Sequence, residues 1–205
     1  MLVHGLWVHG IAMALMRRRI ARCGYRALAY SYPSVRLSLA ENAQRLARFC
    51  RALSAGRLHF VGHSLGGLIV LRMLEETPGL PPGRIVLAGA PYAGSHAARS
   101  LCRVPGGRLA LGRSMSEWLT PGGRERGAGR ELGVIAGSLS LGLGRIVAPD
   151  LPGPNDGAVS VAETAVPGAR DRIVVHVSHS GMLVSARVAR QVCAFLRDGA
   201  FARPG

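Results

Sequence analysis

Residues 58–67, Leu-His-Phe-Val-Gly-His-Ser-Leu-Gly-Gly, constrain the fold of this chain more than any other stretch. A short apolar run from Leu58 to Val61 feeds Gly62-His63-Ser64-Leu65-Gly66, and an apolar, helix-like run from Leu68 to Leu74 follows. A serine held between a strand and a helix needs a sharp, strained turn, and small residues two before and two after it let neighbouring backbone approach. In a chain with 28 Gly the bare G-x-S-x-G spacing arises about 0.3 times by chance. The flanking strand and helix therefore carry the inference, and the segment reads as a nucleophile elbow.

The remaining pattern alternates short β-like and longer helical runs. Leu2-Val3 reads as a strand entering a turn, 10–23 as helical up to a C-cap at Gly24, and 25–30 as a strand. Ser38 or a neighbour can cap a helix through Leu53 whose apolar face is Leu39, Ala43, Leu46, Ala47 and Cys50. Further strands are expected at 84–88, 132–136 and 172–177, and a closing helix at 184–196. Repeated strand–helix alternation implies an α/β fold: a mostly parallel, doubly wound sheet with helices on both faces and active residues at the carboxyl ends of the strands. The length of 205 residues and the absence of a linker give a single domain over 1–205, with 94–130, rich in Gly, Pro, Ser and Arg, as a cap or loop region over the site.

Hydrophobic content of 48% against 18% charged residues argues for a compact globule and against disorder. All 26 basic residues are Arg, scattered among Ala and Gly, so the net charge of +15 reads first as compositional bias and only second as an electrostatic role. Specific nucleic-acid binding is not expected; weak association with an anionic membrane surface is the second reading. Cys23, Cys50, Cys102 and Cys193 lack C-x-x-C spacing and read as separate buried thiols of a reduced compartment. The apolar start at 1–16 has its charges, Arg17-Arg18-Arg19, on the wrong side for a signal peptide, and no run is long enough to span a bilayer, which together read as a cytoplasmic protein. No metal or organic cofactor is called for.

A serine hydroxyl needs a base to take its proton and an acid to orient that base, in the chain order serine, acid, histidine for this kind of fold. The Asp residues after Ser64 are 150, 156, 171 and 198. Asp156 lies in the turn-forming Gly153-Pro-Asn-Asp-Gly157 and is preferred, with Asp150 second. His176 and His179 follow; His176 falls within a strand, whereas His179 lies just past its carboxyl end and is the preferred base. His63 reads as structural. Acyl transfer also requires two N–H groups aimed at the developing oxyanion. Leu65 supplies one; Leu6 in His4-Gly5-Leu6-Trp7 is preferred for the other, with His9-Gly10-Ile11 as the alternative. Trp7, Tyr92 and Met182 are candidate substrate-lining residues.

Five ordered segments, Leu2 to Trp7, Val61 to Gly67, Ala90 to Ser95, Asn155 to Ser160 and Ser178 to Leu183, resemble motifs of the α/β-hydrolase superfamily, in particular small bacterial lipase- and esterase-like members. The resemblance spans most of the chain. It implies a cofactor-free serine hydrolase acting on a small acyl-ester substrate through an acyl-enzyme, with an acyltransferase or thioesterase on the same triad as the alternative. A non-catalytic module binding anionic surfaces is a third. The pattern departs from larger members in lacking their early strands and room for a large lid.

Overall fold

A computed structural model of the protein describes residues 1–120, 129–142 and 144–203. The strands are β1 (Leu2–Val3), β2 (Ala29–Tyr30), β3 (Phe60–His63), β4 (Ile85–Ala88), β5 (Leu132–Gly137) and β6 (Asp171–Val175). They form one sheet in the order β2-β1-β3-β4-β5-β6, every pair parallel. The helices are α1 (Ala14–Arg22), α2 (Leu39–Arg51), α3 (Leu65–Glu76), α4 (His96–Leu101), α5 (Gly107–Leu119), α6 (Gly144–Val147) and α7 (Ala186–Asp198).

Alternation along the strands divides the core into two layers. Val3, Phe60, Ile85 and Leu87 face one cluster with α2, α3 and α5. Leu2, Val61, Val86 and Ala88 face the other, with α1 and α7. Both sheet faces are thus covered, as a parallel sheet demands. Ser38 caps α2 by a full capping box: its Oγ accepts from Glu41 N at 3.1 Å, while its own N–H donates to Glu41 Oε2 at 2.7 Å. Gly24, at φ +90°, ends the α1 region as expected.

The structure differs from the sequence reading in several elements. The strand expected over 25–30 shrinks to Ala29–Tyr30, because β1, its partner, is itself only two residues long. The helix expected from Gly10 begins as a 3-10 turn at Gly10–Met13 before α1 starts. The sequence spacing reads as separate thiols, whereas Cys23 and Cys193 form a disulfide joining the end of α1 to α7, and Cys50 and Cys102 are free. The two helices pack side by side on one face of the sheet although the bonded residues are 170 apart in sequence. No helix among the described residues is long and apolar enough to cross a membrane.

Candidate active site

Ser64 sits between β3 and α3 at φ 53°, ψ −127°, a conformation that a non-glycine residue adopts only under strain imposed by its surroundings. Those surroundings are backbone. A Cβ on Gly62 would lie 2.4 Å from Gly67 Cα, and one on Gly66 would lie 2.3 Å from the carbonyl oxygens of both Val3 and His4. The two flanking glycines are therefore required by the closeness of the elbow helix to β3 and to the end of β1.

Asp156 is wholly buried in the loop between β5 and β6. Its Oδ1 accepts from the backbone N–H groups of Ala158 at 3.0 Å and Val159 at 2.7 Å, which fixes the carboxylate and leaves Oδ2 free to meet His179 Nδ1 at 2.7 Å. His179 N also donates to Asp156 O at 2.8 Å, so backbone and side chain hold the pair together. Gly89, which follows β4, and Gly137, which ends β5, lie beneath it: a Cβ on Gly137 would stand 2.7 Å from Asp156 Cβ, and one on Gly89 3.1 Å from both Asp156 Oδ2 and His179 Nδ1.

His63 holds His179 from the other side. Its Nε2 lies 3.0 Å from His179 O, and the two rings are 4.6 Å apart. Nε2 must carry the proton to donate to that carbonyl, which leaves the buried Nδ1 unprotonated and without a partner. Burial, then repulsion from His179, holds His63 down to about 3, so the ring is neutral. The structural role read from the sequence thus acquires a specific form, a tether between the elbow and the His179 loop.

The Leu6 loop is shaped by His4. Tyr32 N donates to His4 Nε2 at 3.2 Å, so Nδ1 bears the proton and donates to Gly5 O at 2.8 Å. In a trans peptide the Leu6 N–H then points opposite to that carbonyl. Leu65 N–H is the first of α3 and has no acceptor within its own helix. Gly5, Leu6, Ser64, Leu65 and His179 all border one open cavity of about 420 Å³. The alternative loop is otherwise engaged: Gly10 N donates to Ser31 Oγ at 3.2 Å and Ile11 is 80% exposed.

The cavity walls are mostly apolar and include Leu101 of α4, Leu111 and Met115 of α5, and Val147 of α6. Both α4 and α5 fall within the expected 94–130 region; 121–128 lie outside the described residues. Trp7 lines the mouth, its indole N–H donating to Ala110 O at 2.7 Å. Tyr92 and Met182, expected to line the site, do not. Tyr92 is buried against Trp118, with ring centroids 5.9 Å apart, while Pro91 faces the cavity. Met182 belongs to the α1/α7 core layer because a 3-10 turn over Ser180–Leu183 puts Ser180 and Leu183 on the cavity side instead. Asp150, the second acid, is largely exposed and lies 3.1 Å from His96. His176 is exposed beyond β6. Among the described residues no cluster of three or more His, Cys, Asp or Glu converges as metal ligands.

A family model described as the alpha/beta hydrolase family matches residues 1–137. The chain belongs to the alpha/beta hydrolase family. In this alpha/beta hydrolase the matched span contains Leu6, Ser64 and Leu65, whereas Asp156 and His179 lie beyond it. The fold is similar to that of the mature lipase BlEst2 of Bacillus licheniformis, with a TM-score of 0.73 at 18% identity over 96% of this chain and 89% of that one. It is also similar to a metagenomic carboxyl esterase, MGS0156, with a TM-score of 0.66 at 21% identity over 87% of this chain and 64% of that one. A monoacylglycerol lipase of Paleococcus ferrophilus gives a TM-score of 0.62 at 15% identity over 95% and 92%. No curated protein matches by sequence.

One part of the site of this alpha/beta hydrolase had no signal in the sequence. The wall formed by Gly142, Gly144, Ile146 and Val147 comes from a stretch whose short helix, α6, is too brief to show periodicity.

Proposed function

We propose that this alpha/beta hydrolase is a carboxylic ester hydrolase in which Ser64 is the nucleophile, His179 the general base and then acid, and Asp156 the residue that orients it. The observation that carries the reading is the Asp156–His179 pair. In a chain with 26 Arg and 11 acidic residues, a fully buried carboxylate would ordinarily take an Arg partner, yet this one is joined to a histidine at the edge of a cavity that also holds Ser64. With Nδ1–H committed to Asp156, His179 presents Nε2 as an acceptor.

Ser64 Oγ then attacks the ester carbonyl carbon as its proton passes to His179 Nε2, and the negative charge forms on the former carbonyl oxygen. The N–H groups of Leu65 and Leu6 donate to that oxygen. As the carbon–oxygen bond to the alcohol breaks, His179 returns the proton to the leaving oxygen and an acyl-Ser64 ester remains. Water attacks it, giving one proton to His179; the acid departs and that proton restores Ser64. Asp156 keeps its hydrogen bond to Nδ1 throughout. The apolar walls, Leu101, Leu111, Met115 and Trp7 among them, favour an uncharged acyl group, and α4 with α5 serves as the cap over it.

The reading is tested on a series of p-nitrophenyl esters of rising chain length, with and without an added alcohol or thiol. Hydrolysis that Ser64→Ala abolishes supports it. Full turnover by Ser64→Ala overturns it, and an acceptor that outcompetes water moves the assignment to an acyltransferase on the same residues.

A further inference from the structure

The face around the cavity mouth carries exposed apolar side chains that the core does not use. Trp7 (53% exposed), Val104 (47%), Leu109 (82%), Leu141 (62%) and Ile146 (78%) are half of the large apolar side chains exposed among the described residues. They converge on one place. Trp7 and Ile146 border the mouth itself, Leu109 precedes the carbonyl that accepts the Trp7 indole N–H, the backbone of Leu141 runs against the mouth residue Gly157, and Val104 follows α4, whose Leu101 lines the cavity. Isolated surface hydrophobics are ordinary, but a cluster surrounding an apolar opening marks a contact surface.

Arginine is interleaved with this cluster. Exposed Arg103, Arg108 and Arg145 directly adjoin Val104, Leu109 and Ile146. Of the carboxylates nearby, Asp150 lies 3.1 Å from His96 and within the field of Arg103, while Glu163 and Glu117 are tied to the N–H groups of Ser160 and Leu39, each at 2.8 Å. The face is therefore apolar at its tips, with Arg108 and Arg145 between them. Protruding Trp and Leu side chains suit the acyl boundary of a bilayer, and Arg suits anionic headgroups while its stem lies along apolar surface. Nucleic acid would use the cations but leave the apolar tips in water.

We propose that this face docks the protein on an anionic lipid bilayer, with the cavity mouth turned toward the membrane. A membrane-dissolved neutral ester would then enter the cavity without crossing water. The docking needs no chemistry and stands apart from the ester-hydrolase reading, so it is measured on Ser64→Ala protein, which leaves the lipid intact.

Partition is measured by flotation with vesicles of phosphatidylcholine alone and of phosphatidylcholine mixed with phosphatidylglycerol, at low and high salt. The Ser64→Ala protein binds the anionic vesicles, more weakly as salt rises. Leu109→Asp with Leu141→Asp, and separately Arg108→Glu with Arg145→Glu, each lower that partition by about tenfold or more. Arg51→Glu with Arg57→Glu, an equal charge change at the amino end of the sheet, lowers it far less, and an unchanged circular dichroism melt certifies each fold. Absent binding, equal partition onto neutral and anionic vesicles, rim variants that bind as the parent does, or a control pair that loses as much as the rim pair would each overturn the proposal.

Discussion

Replacing Gly66 by Ala tests how the Ser64 turn and the loop proposed to hold the oxyanion are joined. The new Cβ would lie 2.3 Å from both Val3 O and His4 O and 2.7 Å from Val3 C. These are backbone atoms, so no rotamer relieves the clash; either α3 moves away or the end of β1 yields. Overpacking of this kind costs about 1–3 kcal/mol, and at this chain length each kcal/mol lowers Tm by about 2–4 °C. The Tm should therefore fall by about 2–12 °C. Because β1 runs directly into Gly5-Leu6 and α3 begins at Leu65, either displacement separates the two N–H groups that the proposed mechanism aims at the oxyanion. Loss of one such donor lowers kcat by about 10²–10³-fold with a much smaller change in KM. Thermal unfolding and steady-state hydrolysis of a p-nitrophenyl ester read both effects. Gly56→Ala is the control, since a Cβ there meets nothing within 4 Å and should leave Tm and kcat unaltered. A Gly66→Ala protein with wild-type Tm would refute the steric argument. A lowered Tm with unchanged kcat would refute the proposed pairing of Leu6 and Leu65 as oxyanion donors.

Asp156→Asn keeps the size of the side chain but lets the amide choose the wrong His179 tautomer; kcat should fall by about four orders of magnitude with KM little altered, and a fall below tenfold would contradict the role given to the carboxylate. His63 has an ordinary value of 6.5 and is held down to about 3 in the fold, so its contribution is complete above 6.5 and is lost as pH falls from there, because the unfolded chain takes up a proton that the folded one refuses. Urea unfolding across that range should show wild-type stability declining by about 1.4 kcal/mol per pH unit more steeply than that of His63→Gln; parallel slopes would contradict the burial argument. The Cys23–Cys193 disulfide, closing a loop with a sequence separation of 170, should contribute about 2–4 kcal/mol, so that a reducing agent or Cys23→Ser lowers Tm by about 4–16 °C; an unchanged Tm would mean the two thiols stay separate in solution.

The parts of this fold legible in the sequence were those whose cause is local. The elbow announced itself because strand, turn and helix each have their own residue chemistry within ten positions, and Ser38 announced α2 because it carries Glu41 three residues on. Strand ends were less legible: β3 runs from Phe60 to His63, later than the apolar run at 58–61, because pairing with β4 rather than hydropathy decides where a strand stops. The disulfide had no local signal at all, since only the packing of α1 against α7 brings Cys23 to Cys193. Tyr92 and Met182 were misplaced for a related reason. Proximity in sequence to Pro91 and His179 locates a residue near the site but does not say which way its side chain turns.

The proposed triad is tested most directly by intact-protein mass spectrometry after treatment with a fluorophosphonate, on wild type, Ser64→Ala and His179→Ala. An activated serine predicts a single adduct on wild type, mapped to Ser64 by peptide fragmentation, none on Ser64→Ala and strongly slowed labelling of His179→Ala. No adduct on folded wild-type protein, or equal labelling of all three, would contradict the account.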